Sequence, residues 1–342
     1  VCCYTASPVK AAETDVPIDN KTFPDATFLK YVGRFDKSGD GRLSESERNA
    51  VKEIVVNVDP FSSQTKITSL AGIEYFPNLT VLECESNSLA GLDVTKNKKL
   101  QELNCDKNNL QSLDVSQNTK LEGLHVYNTQ VTALDLSNMT NLTTLACYNN
   151  NLTSLNISGD TALKTLSCYQ NRLTSLDIGD SSELTDVSCS QNGITELDLS
   201  QNTQLENLHC ANNSLTTLDV SKNLNITSLD CGSNKLTTLD LRTNTKLEYL
   251  RCVYNKLTSL DVSANTALQS LYTSHNTSLK SLDVSKNPEL VNLVCENNGL
   301  TSLDVSANTK LYMLQCSSNK LKSLDVIKNQ SLSTLNCNDN EI

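Results

Sequence analysis

Residues 205–225 read LENLHCANNSLTTLDVSKNLN, and this 21-residue stretch decides the fold. Counted from its first leucine, apolar residues fall at positions 1, 4, 6, 11, 14 and 16, with Asn at 9, Asp at 15 and, in most copies, Asn at 19. The unit begins at Leu79 and recurs through twelve complete copies and a thirteenth cut short at Ile342. Self-similarity at a period of 20 to 50 residues sets the architecture before local propensity is weighed. Positions 4 and 6 are apolar between polar 3, 5 and 7, the period-two pattern of a half-buried strand. One unit cannot close a core. Stacked in register, the units make one parallel sheet over a shared apolar interior. Leu208 and Cys210 then point inward and His209 outward, while Asn213 follows the strand and offers its amide to backbone groups that the buried turn leaves unpaired.

The stretch LxxLxCxxNxL resembles the leucine-rich repeat, with Cys where that repeat prefers Leu. The longer pattern LxxLxCxxNxLxxLDVSxN resembles the cysteine-ladder branch of the internalin-like bacterial surface proteins, over about Ile67 to Ile342. The resemblance implies an α/β leucine-rich-repeat solenoid: a right-handed horseshoe or superhelix, mostly β, with a parallel concave sheet and a small helical N-terminal cap. It also implies a host or cell-surface protein as partner. Two copies are irregular. The one from Leu121 has Val126 for Cys and Thr129 for Asn; the one from Leu268 has Thr273 for Cys and one extra residue near Ser278.

Eleven of the 13 cysteines occupy position 6. Neighbouring strands lie about 4.8 Å apart, but in-register Cβ vectors run parallel rather than toward each other. The expectation is a column of reduced, buried thiols acting as small apolar side chains. The net charge of −11 disfavours duplex nucleic acid and anionic membrane as partners. No apolar run reaches membrane-spanning length. Residues 1–20 read as leader and linker, with Val9-Lys10-Ala11 fitting the small-residue end of a secretory signal. Extracellular or surface localisation follows, and with no cap or sorting signal at Ile342 the natural protein is expected to continue.

Residues 21–66 read as the helical cap and 67–342 as the repeat domain. Thr27 to Phe35 and Glu45 to Val55 are expected as helices. Between them lies DKSGDGRLSESE, residues 36–47. An EF-hand loop needs oxygens at loop positions 1, 3, 5, 9 and 12, a carbonyl at 7 and Gly at 6. Asp36, Ser38, Asp40, Ser44 and Glu47 supply the side chains, Arg42 the carbonyl and Gly41 the turn. The loop resembles a single EF-hand or dockerin-type loop, which implies a structural calcium ion; a metal-free acidic turn is the alternative.

Chemistry must come from outward positions 2, 3, 5, 7 and 8. These hold seven of the ten tyrosines and all three histidines. Tyr127, Tyr148 and Tyr169 share position 7 of consecutive copies, with His125 beside them; a second group joins Tyr249, Arg251, Tyr254, Tyr272, His275 and Tyr312, and His209 lies between. Exposed Tyr, His and Arg are typical anchors of recognition. Amides at position 8 beside the tyrosines suit a polar protein or a glycan. Glu83, Glu85, Glu102, Asp106 and Glu122 make the N-terminal part of the face acidic, fit for a basic partner patch. Ser188, His209 and Asp230 line up at position 5, but an open sheet face lacks an oxyanion hole and shelter from water, so the row is expected to be a solvated one in which Asp230 pairs with His209 or Arg251. The Asp column at position 15 is expected to accept hydrogen bonds from its own turns. The reading is a non-enzymatic, secreted or surface-displayed adhesin-like module that binds a protein through its concave face, with a carbohydrate-binding surface protein as the alternative.

Overall fold

A computed structural model describes residues 14–59, 61 and 63–342. The proposed cleavage site at Val9–Ala11 lies outside these. The chain divides into two compact units, one ending at Leu134 and one starting at Asp135.

In the first unit, strand β1 (Val16–Pro17), within the stretch read as leader and linker, precedes helix α1 (Ala26–Val32), strand β2 (Arg42–Leu43) and helix α2 (Glu45–Ala50). β1 pairs antiparallel with β2. Asp25 caps α1: one oxygen accepts from Thr27 and Phe28 N–H, the other from Thr68 N–H and Oγ1, tying the helix to the start of the repeat domain. Phe23, Phe28 and Phe76 are fully buried, with Phe23 edge-on to Phe28 at 5.9 Å. Gly72, at φ 99°, lies so close to Phe23 that a Cβ would fall 2.3 Å from its ring. The expected helix Glu45–Val55 stops at Ala50. Val51 turns extended, and β3 (Glu53–Val55) pairs in parallel with β4 (Val81–Glu83). The reason is the alternation of exposed Glu53 and Val55 about buried Ile54, which answers to a strand and not to a helix. The repeat sheet therefore starts before Ile67. It continues through β5 (Glu102–Asn104) and β6 (Gly123–His125), with Leu82, Leu103 and Leu124 in register. β7 (Ala133–Asp135) lies at the boundary of the units.

In the second unit, β8 (Thr144–Ala146) is followed by β9 (Ser154–Asn156), β10 (Thr165–Ser167), β11 (Asp186–Ser188), β12 (Asn207–His209) and β13 (Ser228–Asp230). The series ends with β14 (Tyr249–Arg251), β15 (Ser270–Tyr272), β16 (Asn292–Val294), β17 (Met313–Gln315) and β18 (Thr334–Asn336). β8 pairs in parallel with β10, and β10 to β18 pair each with the next. The extra residue near Ser278 falls outside the sheet, since β15 and β16 stay in register with Leu271 opposite Leu293. The fold is the expected leucine-rich-repeat solenoid with a small N-terminal helical element.

Two columns of asparagine stitch the copies. At position 9, Asn213 Nδ2 donates to the carbonyls of Cys210 and, one copy back, Cys189, both at 3.1 Å, while its Oδ1 accepts from Ile194 N–H. At position 19, Asn223 Nδ2 donates to Leu199 and Asn202 carbonyls. The second column is broken by Met139, Asp160 and Ser181. The position-6 cysteines are free thiols, buried except for half-buried Cys337. Burial pushes Cys147, Cys189 and Cys252 up to about 12. Each position-15 Asp accepts from the N–H two residues on, as Asp219 does from Ser221 at 2.8 Å, and at Asp219 that bond lowers the pKa. Position 8 carries a feature not read from the sequence: from Ser86 to Asp339 every copy has φ between 51° and 62° there, in the left-handed region.

Candidate functional site

Parallel register places every outward side chain of the second unit beside its equivalent in the next copy. Tyr148 and Tyr169 stack with centroids 4.4 Å apart and planes 8° from parallel. Tyr127 belongs to the first unit, where the Lys107 ammonium lies 5.8 Å from its ring and its N–H donates to Asp106. His125, on β6, stands near Glu102 and lowers its pKa, although burial and the neighbouring Glu122 and Glu83 leave that carboxyl raised overall. The second group also assembles. Tyr249 and Tyr272 lie 5.6 Å apart at a tilt, and Tyr254 stacks on His275 at 4.0 Å and 8°. Tyr312 stands half exposed just before β17.

β11, β12 and β13 bring Ser188, His209 and Asp230 side by side. Asp230 turns toward the next copy, with Arg251 Nη1 3.3 Å from both its oxygens, and accepts the Gly232 N–H at 3.0 Å. The N–H groups after each of these residues donate to the neighbouring strand, as Cys210 does to the Asp230 carbonyl. An acyl oxyanion would find no strand donor left there.

One expectation is corrected. Asp106, read as part of the acidic surface, is buried. Its Oδ1 accepts the Tyr127 N–H at 2.6 Å, its Oδ2 has no partner, and burial raises its pKa to about 7. Asp160, which takes the place of a column asparagine, is likewise buried with an unpaired Oδ2 and is raised to about 7 by burial. The break in the Asn column at Asp160 was a visible signal; nothing in the pattern marked Asp106.

In loop 36–47 the carboxylates turn inward. Asp36 accepts from Ser38 Oγ and from Gly39 and Gly41 N–H. Glu47 accepts from Lys37 and Ser38 N–H with one oxygen and from Ser44 N–H and Oγ with the other. These bonds hold Glu47 down to about 2. Asp40 accepts the Arg42 N–H. Ser38 thus joins Asp36 and Glu47, an all-oxygen set suited to a hard cation. Among the described residues no three carboxylate, imidazole or thiol side chains stand close enough to hold a metal by themselves, so Ser38, Ser44 and the Arg42 carbonyl would have to complete such a site.

The functional domain of InlJ from Listeria monocytogenes, which includes a cysteine ladder, superposes with a TM-score of 0.79 at 36% identity, over 97% of this chain and 77% of that one. The chain belongs to the internalin-like leucine-rich-repeat family. The internalin InlF of the same organism matches at 21% identity and a TM-score of 0.67, over 95% of this chain and 98% of that one, and shares the fold. So does the Leptospira interrogans leucine-rich-repeat protein LIC12759, at 23% and 0.75 over 87% and 80%. No family model matches the chain, and no curated protein does. In this internalin-like chain the inward columns are accounted for by stacking. The side chains free to differ between copies are the outward ones, where the tyrosines lie. No helix among the described residues is long and apolar enough to cross a membrane.

Proposed function

We propose that the chain is a non-enzymatic recognition module, secreted or displayed at a cell surface, that binds a protein partner through the outward sheet face in the manner of an adhesin. The observation that carries this reading is the clustering of aromatic side chains at outward positions on and just after the strands, where they bury no core: Tyr148 on Tyr169, Tyr249 against Tyr272, and Tyr254 on His275. Tyrosine and arginine anchors dominate protein interfaces. A glycan is the second reading, favoured by the amide of Gln170 next to Tyr169. It ranks lower because Tyr148 and Tyr169 turn ring faces toward each other, and sugar stacking needs an open face. Cell-surface protein and glycan arrays, each probed with the wild-type chain, Tyr148→Ala and Tyr272→Ala, test the two. Protein binding lost in a tyrosine variant supports the module; unchanged binding in both variants moves the site off this face.

Loop 36–47 supports a separate proposal, a structural calcium ion held by Asp36, Ser38, Asp40, Ser44 and Glu47 with the Arg42 carbonyl. The convergence of Asp36 and Glu47 on Ser38 favours it. Bound calcium stabilises the native state by mass action, about 2.7 kcal/mol at a hundredfold excess over the dissociation constant. Melting with calcium and with chelator should therefore differ for the wild type and coincide for Asp36→Ala/Glu47→Ala. Coincident wild-type curves would mean that the loop works metal-free.

A further inference from the structure

Tyr254 is in the wrong conformation for its residue type. It occupies position 8 at φ 51°, a region that Asn, Asp and Gly enter with least penalty and that a bulky side chain rarely adopts. Most other copies place Ser, Asn, Gln or Asp there. The ring is 54% exposed, so it does not repay that conformation by filling the core. Backbone strain kept without a packing reason points to a task at the surface.

Its surroundings say which task. One copy earlier, position 7 is Gly232. A Cβ there would lie 2.9 Å from Arg251 Nη1, so the missing side chain is what lets the guanidinium lie across the face. Ala211 and Val253, at position 7 of the flanking copies, are small, apolar and buried. Asp230 holds Arg251 through Nη1 alone, at 3.3 Å to each oxygen. A bidentate Arg–carboxylate pair uses two nitrogens at about 2.7–2.9 Å. The guanidinium is thus positioned by Asp230 with its Nε–Nη2 edge uncommitted. Tyr249 and Tyr272 lie in register with Ser270 and Arg251 on the adjoining strands, and burial together with Asp230 keeps the Tyr249 phenol protonated, a donor and not an anion. The stacked Tyr254–His275 pair lies at position 8 of the same two copies.

We propose that Arg251, with Tyr249 and Tyr272 beside it and the Tyr254–His275 pair next to it, receives the carboxylate side chain of an extended protein segment, an Asp or Glu flanked by apolar residues that lie on the aromatic pair. This rests on the reading of the face as a protein-binding one and names the chemistry of what it binds. The strand N–H and C=O groups on either side are spent in the sheet, so the segment is held by side chains and not as an added strand. The chain carries a net charge of −11, so a single carboxylate is accommodated where an acidic run would be repelled.

The test is a library of random dodecapeptides displayed on phage and selected on the whole chain. Enriched peptides are resynthesised with each Asp and Glu changed to its amide. Binding is measured by fluorescence anisotropy to the wild type, Arg251→Gln, Arg251→Lys, Tyr254→Asn, Tyr148→Ala and Tyr272→Ala, with a melting curve for each. The expected result is one acidic position whose amide weakens binding at least tenfold to the wild type and not to Arg251→Gln, the signature of a coupled pair. Arg251→Lys should not restore it, because a point charge lacks the fork. Tyr254→Asn should weaken binding with no loss of melting temperature. Peptides that lose affinity for Tyr148→Ala or Tyr272→Ala but bind Arg251→Gln as well as wild type would overturn the assignment while leaving the protein-binding face intact. Enriched peptides indifferent to every one of these substitutions would remove both. Enrichment of poly-acidic peptides that also bind Arg251→Gln would overturn it too.

Discussion

Asp106 and Asp160 each bury a carboxyl with one oxygen unpaired, and both titrate near pH 7 instead of at their ordinary 3.8. A folded-state pKa raised in this way means that the folded chain binds the proton more tightly than the unfolded one. The associated stability is present in full below about pH 4 and is lost as pH rises to about 7. Asp198, Asp219 and Asp283 at position 15 work in the opposite sense: their pKa values are lowered by bonds from their own turns, so their share is present above pH 3.8 and lost on further acidification. Melting temperature is therefore expected to peak in mildly acidic buffer and to fall as pH rises to about 7. Asp106→Asn and Asp160→Asn should each flatten the neutral side of that profile, by about 1–3 kcal/mol, the cost of a buried polar atom left unpaired. A profile unchanged in both variants would mean that these carboxyls are solvated. Tyr254→Asn is expected to stabilise by about 1 kcal/mol, from the relief of a left-handed backbone, as read by chemical denaturation. At this scale the sequence was legible where a column was broken, as at Asp160. It was not legible at Tyr254 and Asp106, where the governing fact is a φ angle or a packing distance that a pattern of apolar and polar letters does not encode.

The strand and its following Asn form the element that each copy repeats. Asn213 bonds two carbonyls and one N–H; its removal strands the Ile194 N–H in the interior and leaves the Cys189 and Cys210 carbonyls to Asn192 and Asn234 alone. Asn213→Ala is expected to cost about 1–3 kcal/mol and to sharpen early loss of signal in thermal unfolding, because a repeat array need not melt as one unit. Asn213→Thr should cost less, since Thr129 already serves at this position and its hydroxyl reaches the Val126 carbonyl at 3.2 Å. Equal losses in the two variants would show that the hydroxyl contributes nothing. The elements with several copies were read correctly because each copy corroborates the others. The single-copy cap was read less well. Helix α1 lies where the sequence predicts it, but in the run after Ala50 Val51, Ile54 and Val55 satisfy a helical spacing as well as a strand's. Only pairing with Val81–Glu83, far along the chain, decides it as strand β3.

Over the whole chain, the cysteines report the integrity of the stack. The eleven in the repeats are free, and burial raises the pKa of thiols such as Cys189 and Cys252. Among the repeat cysteines of the native protein, half-buried Cys337 should be alkylated first at neutral pH while the ten buried ones resist; in denaturant without reductant every repeat cysteine should be modified. Several unmodified cysteines in denaturant would mean disulfides and would undo the thiol column. The family was legible from the repeat alone, and the 36% identity to the InlJ domain agrees with it. The unit boundary at Leu134 was not foreseen, although the departures at Val126, Thr129, Met139, Asp160 and Ser181 gather around it. Parallel register has one more consequence, and it is genetic. If the 21 codons for Leu205–Asn225 are excised, Ile226 follows Gln204 in frame, β13 meets β11 in the register that β12 held, and every remaining Asn finds an equivalent carbonyl. Unequal crossing-over between copies should therefore yield folded chains of other lengths, so that the number of copies becomes an inherited variable that changes in whole steps.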